Sequence, residues 1–307
     1  MKVSLISTVK DCVEGVDAFL ASLAAQTRAP DEVVIVDGGS ADGTAERFAE
    51  AEGVTLIVEP GANIARGRNA ALAAATHDLI AVTDADCILE PTWLAEIVAP
   101  LEAGADVSMG FYEPVTDGFL QTCMAAVNLP GDAGEIDPAT FNPSARSVAY
   151  RRDAIEAVGG YPEWLAIGED MWVDLRWRER RLDMRFAPEA VVRWRLRSSL
   201  GATWQQYFKY ARGDAHAGMH PDRHALRFLT YGGLAAALVS RRTWPKAFAG
   251  AGAVAYARTP VRRARKRFES GRDRALATVT VPALMAFIDT AKMAGYAVGL
   301  ADRSKGR

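Results

Sequence analysis

The chain has 307 residues, 50% of them hydrophobic and 24% charged, which fits one large α/β domain with an appendage better than two equal domains. Its three cysteines are widely spaced with no CxxC pair, which argues against a disulfide or zinc framework and indicates a reducing compartment. Residues 1–200 carry 17 Lys/Arg and 32 Asp/Glu (a balance of −15), whereas residues 201–307 carry 19 and 6 (+13), so the acidic part suits a metal site and the basic part an anionic surface.

The first hundred residues alternate between short β-rich runs and longer helical patterns. The predicted strands are 3–7, 32–36, 54–58, 79–83 and 106–109, and the predicted helices start near residues 16, 42, 64 and 91. This alternation is typical of parallel strands joined by right-handed crossovers, in which ligands bind beyond the carboxyl ends of the strands. We therefore expect the chemistry directly after these strands.

The alternation of strand and helix patterns stops over residues 113–147, where Gly, Pro, Asn and Asp recur and predict long loops. Loops of this length in a compact domain are usually functional. Regular structure returns with SVAYRR and with a helix that carries Glu169 and Asp170. Beyond about residue 220, apolar stretches rich in small residues alternate with cationic clusters.

The strand EVVIV ends in Asp37-Gly38-Gly39-Ser40. Two glycines after a strand permit a tight turn and the close approach of a flat ligand, to which Asp37 could offer its carboxylate. The alternative is an ordinary βα turn with Ser40 or Asp42 as a helix N-cap. This motif alone does not decide between them.

The strand LIAVT ends in Asp84-Ala85-Asp86. Carboxylates directly after a buried strand do not serve packing, because burial of unpaired charge is costly. Hard oxygen ligands suit Mg²⁺ or Mn²⁺, which would bridge a diphosphate. The alternative is a surface turn rich in Asp.

Two further groups of polar residues complete the pattern. Arg66, Arg68 and Asn69 lie at the start of a helix, where cations oppose the helix dipole unless an anion binds there; pairing with acids such as Glu59 is the alternative. The acids of Gly168-Glu169-Asp170 could supply a general base toward a hydroxyl, or could simply decorate a helix N-terminus.

Together, in this order, the motifs resemble the family 2 glycosyltransferases of the GT-A fold. The resemblance covers roughly residues 1–215 and is carried by VSLISTVKD (3–11), VVIVDGGSADGT (33–44), ARGRNAAL (65–72), AVTDADC (81–87), VGGYPE (158–163), GEDMWVDLRW (168–177) and APEAVVRW (187–194). It implies a Rossmann-like, mostly parallel sheet flanked by helices. It also implies an inverting enzyme that uses a nucleotide sugar.

The resemblance also implies roles for individual residues. Thr8 would lie in the first-strand loop that contacts the nucleotide, Asp37 would bind the base, and Arg68 would contact the nucleotide or its phosphates. Asp84 would face the ribose or base, and Asp86 would ligate Mn²⁺ or Mg²⁺. Asp170 would be the catalytic base, with Glu169 beside it toward the acceptor.

The sequence departs from the family pattern at three places. The first-strand loop reads Ser7-Thr8-Val9-Lys10-Asp11 instead of Pro-Thr-x-Asn, and Arg193-Trp194 stand where the family often has a metal-binding His. The processive signature Q-x-x-R-W is absent, because Gln205-Gln206-Tyr207 does not match it. These departures leave the third metal ligand open and favour the addition of a single sugar.

The composition of the C-terminal part predicts a helical, membrane-associated segment over 221–307, which follows a catalytic domain over 1–220. Arg258–Arg274 holds eight Lys/Arg and two acids between apolar stretches, a pattern typical of binding to anionic lipid. Pro282, Asp289 and Lys292 argue against a spanning helix. A soluble appendage is the alternative, and no aromatic platform supports nucleic-acid binding.

His216, His220 and His224 are predicted to be solvated loop residues, because Pro221 breaks the helix that a metal site at their spacing needs.

The opening MKVSLIS has only a short apolar stretch, so no signal peptide is predicted and a cytoplasmic enzyme at the inner membrane face is expected. The predicted partners are a nucleotide-sugar donor and a glycan or lipid-linked acceptor. Two other functions stay open: a nucleotidyltransferase, and a non-catalytic scaffold that binds sugar nucleotides or lipid. STVKDCVEG is a poor version of the phosphate loop that a nucleotidyltransferase would want after its first strand.

Overall fold

Eight strands form one sheet in the computed structural model, which describes residues 1–305. They are β1 (Val3–Val9), β2 (Glu32–Asp37), β3 (Val54–Val58), β4 (Leu79–Val82), β5 (Cys87–Leu89), β6 (Val107–Val115), β7 (Val148–Arg151) and β8 (Met184–Arg195). The spatial order is β3-β2-β1-β4-β7-β6-β8-β5. The pairs β3–β2, β2–β1, β1–β4 and β6–β8 are parallel, whereas β7 is antiparallel to both neighbours and β5 to β8. The predicted mostly parallel α/β sheet is confirmed.

Eleven α-helices lie among the described residues. They are α1 (Val13–Ala24), α2 (Thr44–Ala49), α3 (Ile64–Ala74), α4 (Trp93–Glu102), α5 (Phe119–Asn128), α6 (Arg152–Glu156), α7 (Glu169–Glu179), α8 (Leu200–Ala217), α9 (Pro221–Val239), α10 (Thr243–Arg267) and α11 (Gly271–Ser304). Helix α5 lies inside the stretch predicted to be loops. The short strand β5, which the sequence did not indicate, stands between the Asp84-Ala85-Asp86 turn and α4.

The chain divides into two compact units, neither of which is continuous in sequence. The first unit is residues 1–115 and 132–195, and the second is 116–131 together with 196 to the end of the described chain. In the first unit, the apolar runs of β1, β2 and β4 are buried on both faces, as parallel strands between helices require. Trp93 and Trp177 are the largest fully buried side chains there.

The second unit contains α5 and α8–α11, so its bounds differ from the division at residue 220 that the sequence favoured. The reason is packing. Cys123, Met124 and Ala126 of α5 form one apolar cluster with residues of α10 and α11. Helix α11 lies against α8 through Gly295, where a Cβ would stand 2.1 Å from the Phe208 carbonyl oxygen. Both α5 and α8 therefore belong with the C-terminal helices.

Helix α11 carries a buried polar network. Asp289 accepts hydrogen bonds from Arg227 (2.7 Å), Tyr231 (3.0 Å) and Tyr256 (3.1 Å). By length and composition alone, α11 qualifies within residues 1–305 as a candidate membrane span, with 39% of its apolar window buried inside the protein. Of the three residues that favoured a non-spanning helix, Pro282, Asp289 and Lys292, Asp289 has its carboxylate satisfied within the fold.

Two of the three histidines near residue 220, His216 and His224, are not solvated loop residues as predicted, whereas His220 lies in the link between α8 and α9 and is partly exposed. His216 lies in α8, and His220 precedes α9 with a left-handed φ of 50°. His224 is buried in α9, 2.9 Å from Asp214 and stacked on Tyr296 with ring centroids 3.9 Å apart. The prediction failed because Pro221 starts a new helix at its first turn, where proline is tolerated, instead of ending regular structure.

Candidate active site

The turn after β2 is closed by its own aspartate. The buried Asp37 carboxylate accepts hydrogen bonds from the amides of Gly39 and Ser40 (both 2.8 Å) and from the Ser40 hydroxyl (2.5 Å). Gly39 has a φ of +88°, which favours glycine. Helix α2 starts later, after Gly43, and its first amide, that of Thr44, donates to Asp42 Oδ1 at 3.1 Å. In this arrangement Asp37 shapes the turn, and Asp42, not Ser40, satisfies the first amide of the helix.

Gly38 and Gly39 of this turn pack closely against the segment that follows β3. A Cβ on Gly38 would stand 3.1 Å from the Ala62 carbonyl oxygen, and one on Gly39 would stand 3.0 Å from the Pro60 Cα. Thr8, expected in a loop, lies within β1 in register with Val36. It packs on α3, because a Cβ on Gly67 would come within 2.8 Å of the Thr8 Cγ2. The close packing of β1, β2 and α3 accounts for these small residues.

The turn after β4 carries the two carboxylates of the Asp-x-Asp motif. It is closed by the Cys87 amide, which donates to the Asp84 carbonyl oxygen at 3.0 Å. Asp86 is exposed, whereas the Asp84 side chain is 27% exposed and faces two arginines. The first turn of α1 passes close by, since a Cβ on Gly15 would stand 3.9 Å from the Asp86 Cα.

Arg68 joins two parts of the site that are far apart in sequence. Its guanidinium donates to Asp84 Oδ1 at 3.0 Å and to Glu169 Oε1 at 2.5 Å, and the Arg68 and Glu169 side chains are only 4% and 5% exposed. Burial alone would lower the pKa of Arg68, but Glu169 and Asp84 raise it above its ordinary value. Arg68 is thus a buried bridge, where the sequence suggested a phosphate ligand.

The other polar residues of α3 have structural partners. Arg66 pairs with Glu59 at 2.6 Å, which is the alternative that the sequence left open. Asn69 accepts from the Tyr161 amide at 2.9 Å and donates to the Tyr161 carbonyl oxygen, also at 2.9 Å. These bonds fix the turn that precedes α7 and thereby help to position Glu169.

Asp170 follows Glu169 in the first turn of α7. One oxygen accepts from the Met171 amide at 2.8 Å, and the other lies 3.4 Å from the Ala145 amide. One turn further along α7, burial and the Asp170 charge raise the pKa of Asp174 well above its ordinary value. Asp170 itself is only partly buried, so a ligand can reach it.

Arg146 is a site residue that the sequence analysis missed. Its Nε lies 3.7 Å from Asp84 Oδ2, and its guanidinium stacks 4.1 Å from the Trp194 ring and 5.8 Å from the Tyr112 ring. The only signal was the departure at Trp194, which stands where the family often has a histidine. Here that position supports a cation beside Asp84, so a third protein ligand for a metal is not found there.

The cysteines of the site are not poised as nucleophiles. Burial raises the pKa of the Cys12 thiol to about 11, and the charges of Asp86, Asp42 and Asp37 add to this effect. Burial likewise raises the pKa of Cys87 well above its ordinary value. Thiolates are therefore scarce at neutral pH. The turns after β2 and β4 share one edge of the sheet, because both strands run parallel to β1 on either side of it.

The described residues offer few protein ligands for a metal ion. Within residues 1–305, no group of three His, Cys, Asp or Glu side chains could hold a metal ion. Mg²⁺ at nucleotide sites, however, is usually bound by one or two carboxylates together with substrate phosphates and water. The exposed Asp86 suits such a site, whereas one Asp84 oxygen is bonded to Arg68. The residues fit a cation that is held mainly by its diphosphate.

Of the residues predicted for the site, the structure brings Arg68, Asp84, Glu169 and Asp170 into one cluster. Asp86 lies two residues from Asp84 on the same turn. Asp37 and Thr8 lie on neighbouring strands but are engaged in the packing and turn described above.

Comparisons with known proteins agree with this architecture. The profile of glycosyl transferase family 2 matches residues 4–159. The uncharacterized glycosyltransferase Rv0539 of Mycobacterium tuberculosis is 34% identical over 113 residues, 36% of this chain and 50% of that protein. The O-antigen chain rhamnosyltransferase WbaN of Salmonella anatum is 26% identical over 196 residues, 60% of this chain and 62% of that one. The chain thus spans about half the length of the mycobacterial relative.

Solved structures share the fold at low identity. The mannosyltransferase PcManGT from Pyrobaculum calidifontis, in complex with GDP-Man and Mn²⁺, is 19% identical with a TM-score of 0.58, covering 99% of this chain and 87% of that one. TarS of S. aureus, in complex with UDP, is 16% identical with a TM-score of 0.51, covering 100% and 92%. These likenesses confirm the expected GT-A fold. Because the family profile matches just over half of its residues, the chain belongs to glycosyltransferase family 2.

Proposed function

We propose that the protein transfers one sugar from a nucleoside diphosphate to an acceptor hydroxyl, with inversion at the anomeric carbon. The observation that supports this most is the bridge of Arg68 between Asp84 and Glu169. It joins the Asp-x-Asp turn and the Glu-Asp pair at one edge of the sheet. PcManGT with GDP-Man and TarS with UDP, which share this fold, support a nucleoside diphosphate sugar as the donor.

In the proposed reaction, Asp170 accepts the proton of the acceptor hydroxyl as that oxygen attacks the anomeric carbon. The nucleoside diphosphate leaves from the opposite face, which inverts the configuration. Asp86 would hold Mn²⁺ or Mg²⁺, and such an ion supplies positive charge for the leaving phosphates. Arg146, beside Asp84, adds a fixed cation on the same side. Arg68 and Asp84 hold the two parts of the site together.

The experiment that tests this proposal separates donor binding from chemistry. Asp170→Asn keeps the shape and removes the basicity, so donor affinity persists while turnover falls by at least about 100-fold. Glu179→Gln, on the exposed face of the same helix, is the matched control and retains full turnover. Normal turnover of the Asn variant would assign the base to another residue.

The same assay distinguishes the competing functions. A glycosyltransferase releases a nucleoside diphosphate, whereas a nucleotidyltransferase acting on a sugar phosphate and a nucleoside triphosphate releases pyrophosphate. A scaffold releases neither. Release of pyrophosphate, or donor binding without any turnover across a panel of acceptors, would therefore overturn the proposal.

We also propose that the enzyme works on the cytoplasmic face of a membrane, held by residues 221–307. Large apolar side chains are exposed there, including Leu229 (73%), Trp244 (65%) and Phe248 (79%), next to the cationic run Arg258–Arg274. Apolar burial and attraction to anionic headgroups would act together, and only the second is screened by salt. A lipid-linked acceptor suits such an enzyme. The chain should pellet with phosphatidylglycerol vesicles at low salt, and less so at high salt or with neutral vesicles.

A further inference from the structure

A cavity of about 780 Å³ opens between α10 and α11 in the second unit. Its wall is largely apolar, formed by small and β-branched residues and one proline: Ala253, Val254, Ala257, Val261 and Pro282. Val254 is 72% exposed, so this wall is accessible to a ligand from outside. A volume of this size lies within the range of about 300–1,000 Å³ typical of small-molecule sites.

Five cations line the same cavity. Four are on α10 and one is on α11: Arg258, Arg262, Arg265, Lys266 and Arg274. None of the five pairs with a carboxylate in the described part of the chain. By contrast, surface arginines such as Arg28, Arg47 and Arg185 each have an acidic partner. The five cations therefore lie beyond ion-pair distance of any described carboxylate, although Arg274 donates to the Phe268 carbonyl oxygen at 2.8 Å and Glu269 and Asp273 belong to the same run.

A single ligand chemistry satisfies both features. Like charges crowded on one helix face repel each other unless an anion lies among them. Arginine forks and lysine bind phosphate oxygens well, and the apolar wall favours a hydrocarbon chain. A small soluble anion would leave the apolar wall exposed to water, and a neutral lipid would leave the cations without an anionic partner.

We propose that this cavity binds one phosphate-bearing lipid, with the phosphate among the cations and the hydrocarbon chain against the wall. The proposal deepens the membrane association proposed above, from a general attraction to anionic lipid to a site for a single molecule. It concerns the second unit alone and is independent of the transfer chemistry.

The test uses the purified full chain and decyl phosphate below its micellar concentration, with binding measured by calorimetry. Decyl maltoside carries the same chain without the charge, and inorganic phosphate carries the charge without the chain. Decyl phosphate should bind more tightly than either. Arg262→Ala combined with Arg265→Ala should weaken it about 25-fold, from about a fivefold loss for each cation.

Two further variants make the test specific. Arg241→Ala combined with Arg242→Ala removes two exposed cations that do not line the cavity, and its affinity should equal that of the native chain. Ala253→Trp fills the cavity from an exposed position on α10. It should weaken decyl phosphate binding and leave the binding of inorganic phosphate unchanged.

Several results would overturn the site. These are equal affinity for decyl phosphate and inorganic phosphate, equal losses in the two double-alanine variants, and tighter binding of a single-stranded oligonucleotide than of decyl phosphate. Vesicle sedimentation distinguishes this failure from that of the membrane proposal. A chain that pellets with phosphatidylglycerol vesicles but ignores decyl phosphate retains its membrane association and loses the cavity site. The opposite pattern retains the cavity site and refutes the membrane association.

Discussion

Arg68→Met is the most informative single change in the site, because the structure and the family resemblance assign different roles to Arg68. Methionine keeps much of the length and removes the charge. Glu169, whose side chain is 5% exposed, would then lie buried without its cation. Breaking a buried ion pair from one side costs about 3–5 kcal/mol. Asp84 adds little to this cost, because it is partly exposed and keeps Arg146 nearby.

The free energy of unfolding that Arg68→Met loses should depend on pH in a defined direction. Burial already raises the pKa of Glu169, while Arg68 opposes that rise. Without Arg68, the pKa of Glu169 in the folded protein rises further above its pKa in the unfolded chain. The variant therefore loses stability as the pH rises through the folded-state pKa of Glu169. The deficit relative to the native chain should therefore be small in acid and grow towards neutral and alkaline pH. Glu169→Gln in addition should recover much of it, since a neutral amide needs no cation.

The assay is urea unfolding followed by hydrogen-exchange protection in peptides from β4 and α7. A local readout is needed because a chain with two compact units need not unfold in one transition. Donor binding is measured on the same samples. If Arg68→Met lost donor affinity while its stability stayed within about 1 kcal/mol of native at every pH, Arg68 would be a ligand for phosphate and not a bridge.

Three further predictions concern single positions. Asp86→Ala should abolish the Mn²⁺-dependent rise in melting temperature on donor binding, whereas Asp183→Ala, an exposed control, should keep it; a persisting rise would remove Asp86 from the metal site. Burial raises the pKa of Asp174, so the native chain loses stability as pH rises above the usual carboxyl range, and Asp174→Asn should reduce that loss in urea titrations at several pH values. Gly295→Ala should cost about 1–3 kcal/mol and reduce hydrogen-exchange protection of α8, because its Cβ would come within 2.1 Å of the Phe208 carbonyl oxygen; unchanged protection would contradict the packing.

Much of the sheet could be predicted from the sequence, because β1, β2 and β4 are short apolar runs buried on both faces. The runs ending at Asp37 and before Asp84 are examples, and their ends placed the candidate turns correctly. Strand β8 was harder to recognise. It alternates buried and exposed residues through MRFAPEAVVRWR, and only its second half matches a family motif.

The partners of charged side chains could not be predicted in the same way. Arg68 and Glu169 are 101 residues apart, and only the fold shows that their charges meet. Arg146 stands in an irregular segment without any periodic signal, so its contact with Trp194 had no trace in the sequence beyond the unusual tryptophan. For Asp37, a buried carboxylate that closes its own turn has the same sequence signature as one that binds a base, so base binding by Asp37 stays a prediction.

The discontinuous second unit has a consequence for biosynthesis. Helix α5 ends at Asn128, but α10 and α11, which cover Cys123 and Met124 in the finished protein, begin only at residues 243 and 271. At about 5–20 residues per second, a ribosome needs roughly 7–30 s to reach the start of α11 after finishing α5. During that interval the apolar face of α5 lacks its native contacts with α11, while most strands of the sheet are already available. The nascent chain should therefore pass through a stage in which most of the sheet has formed while α5 still exposes apolar side chains. Chaperones bind exposed apolar segments of this kind.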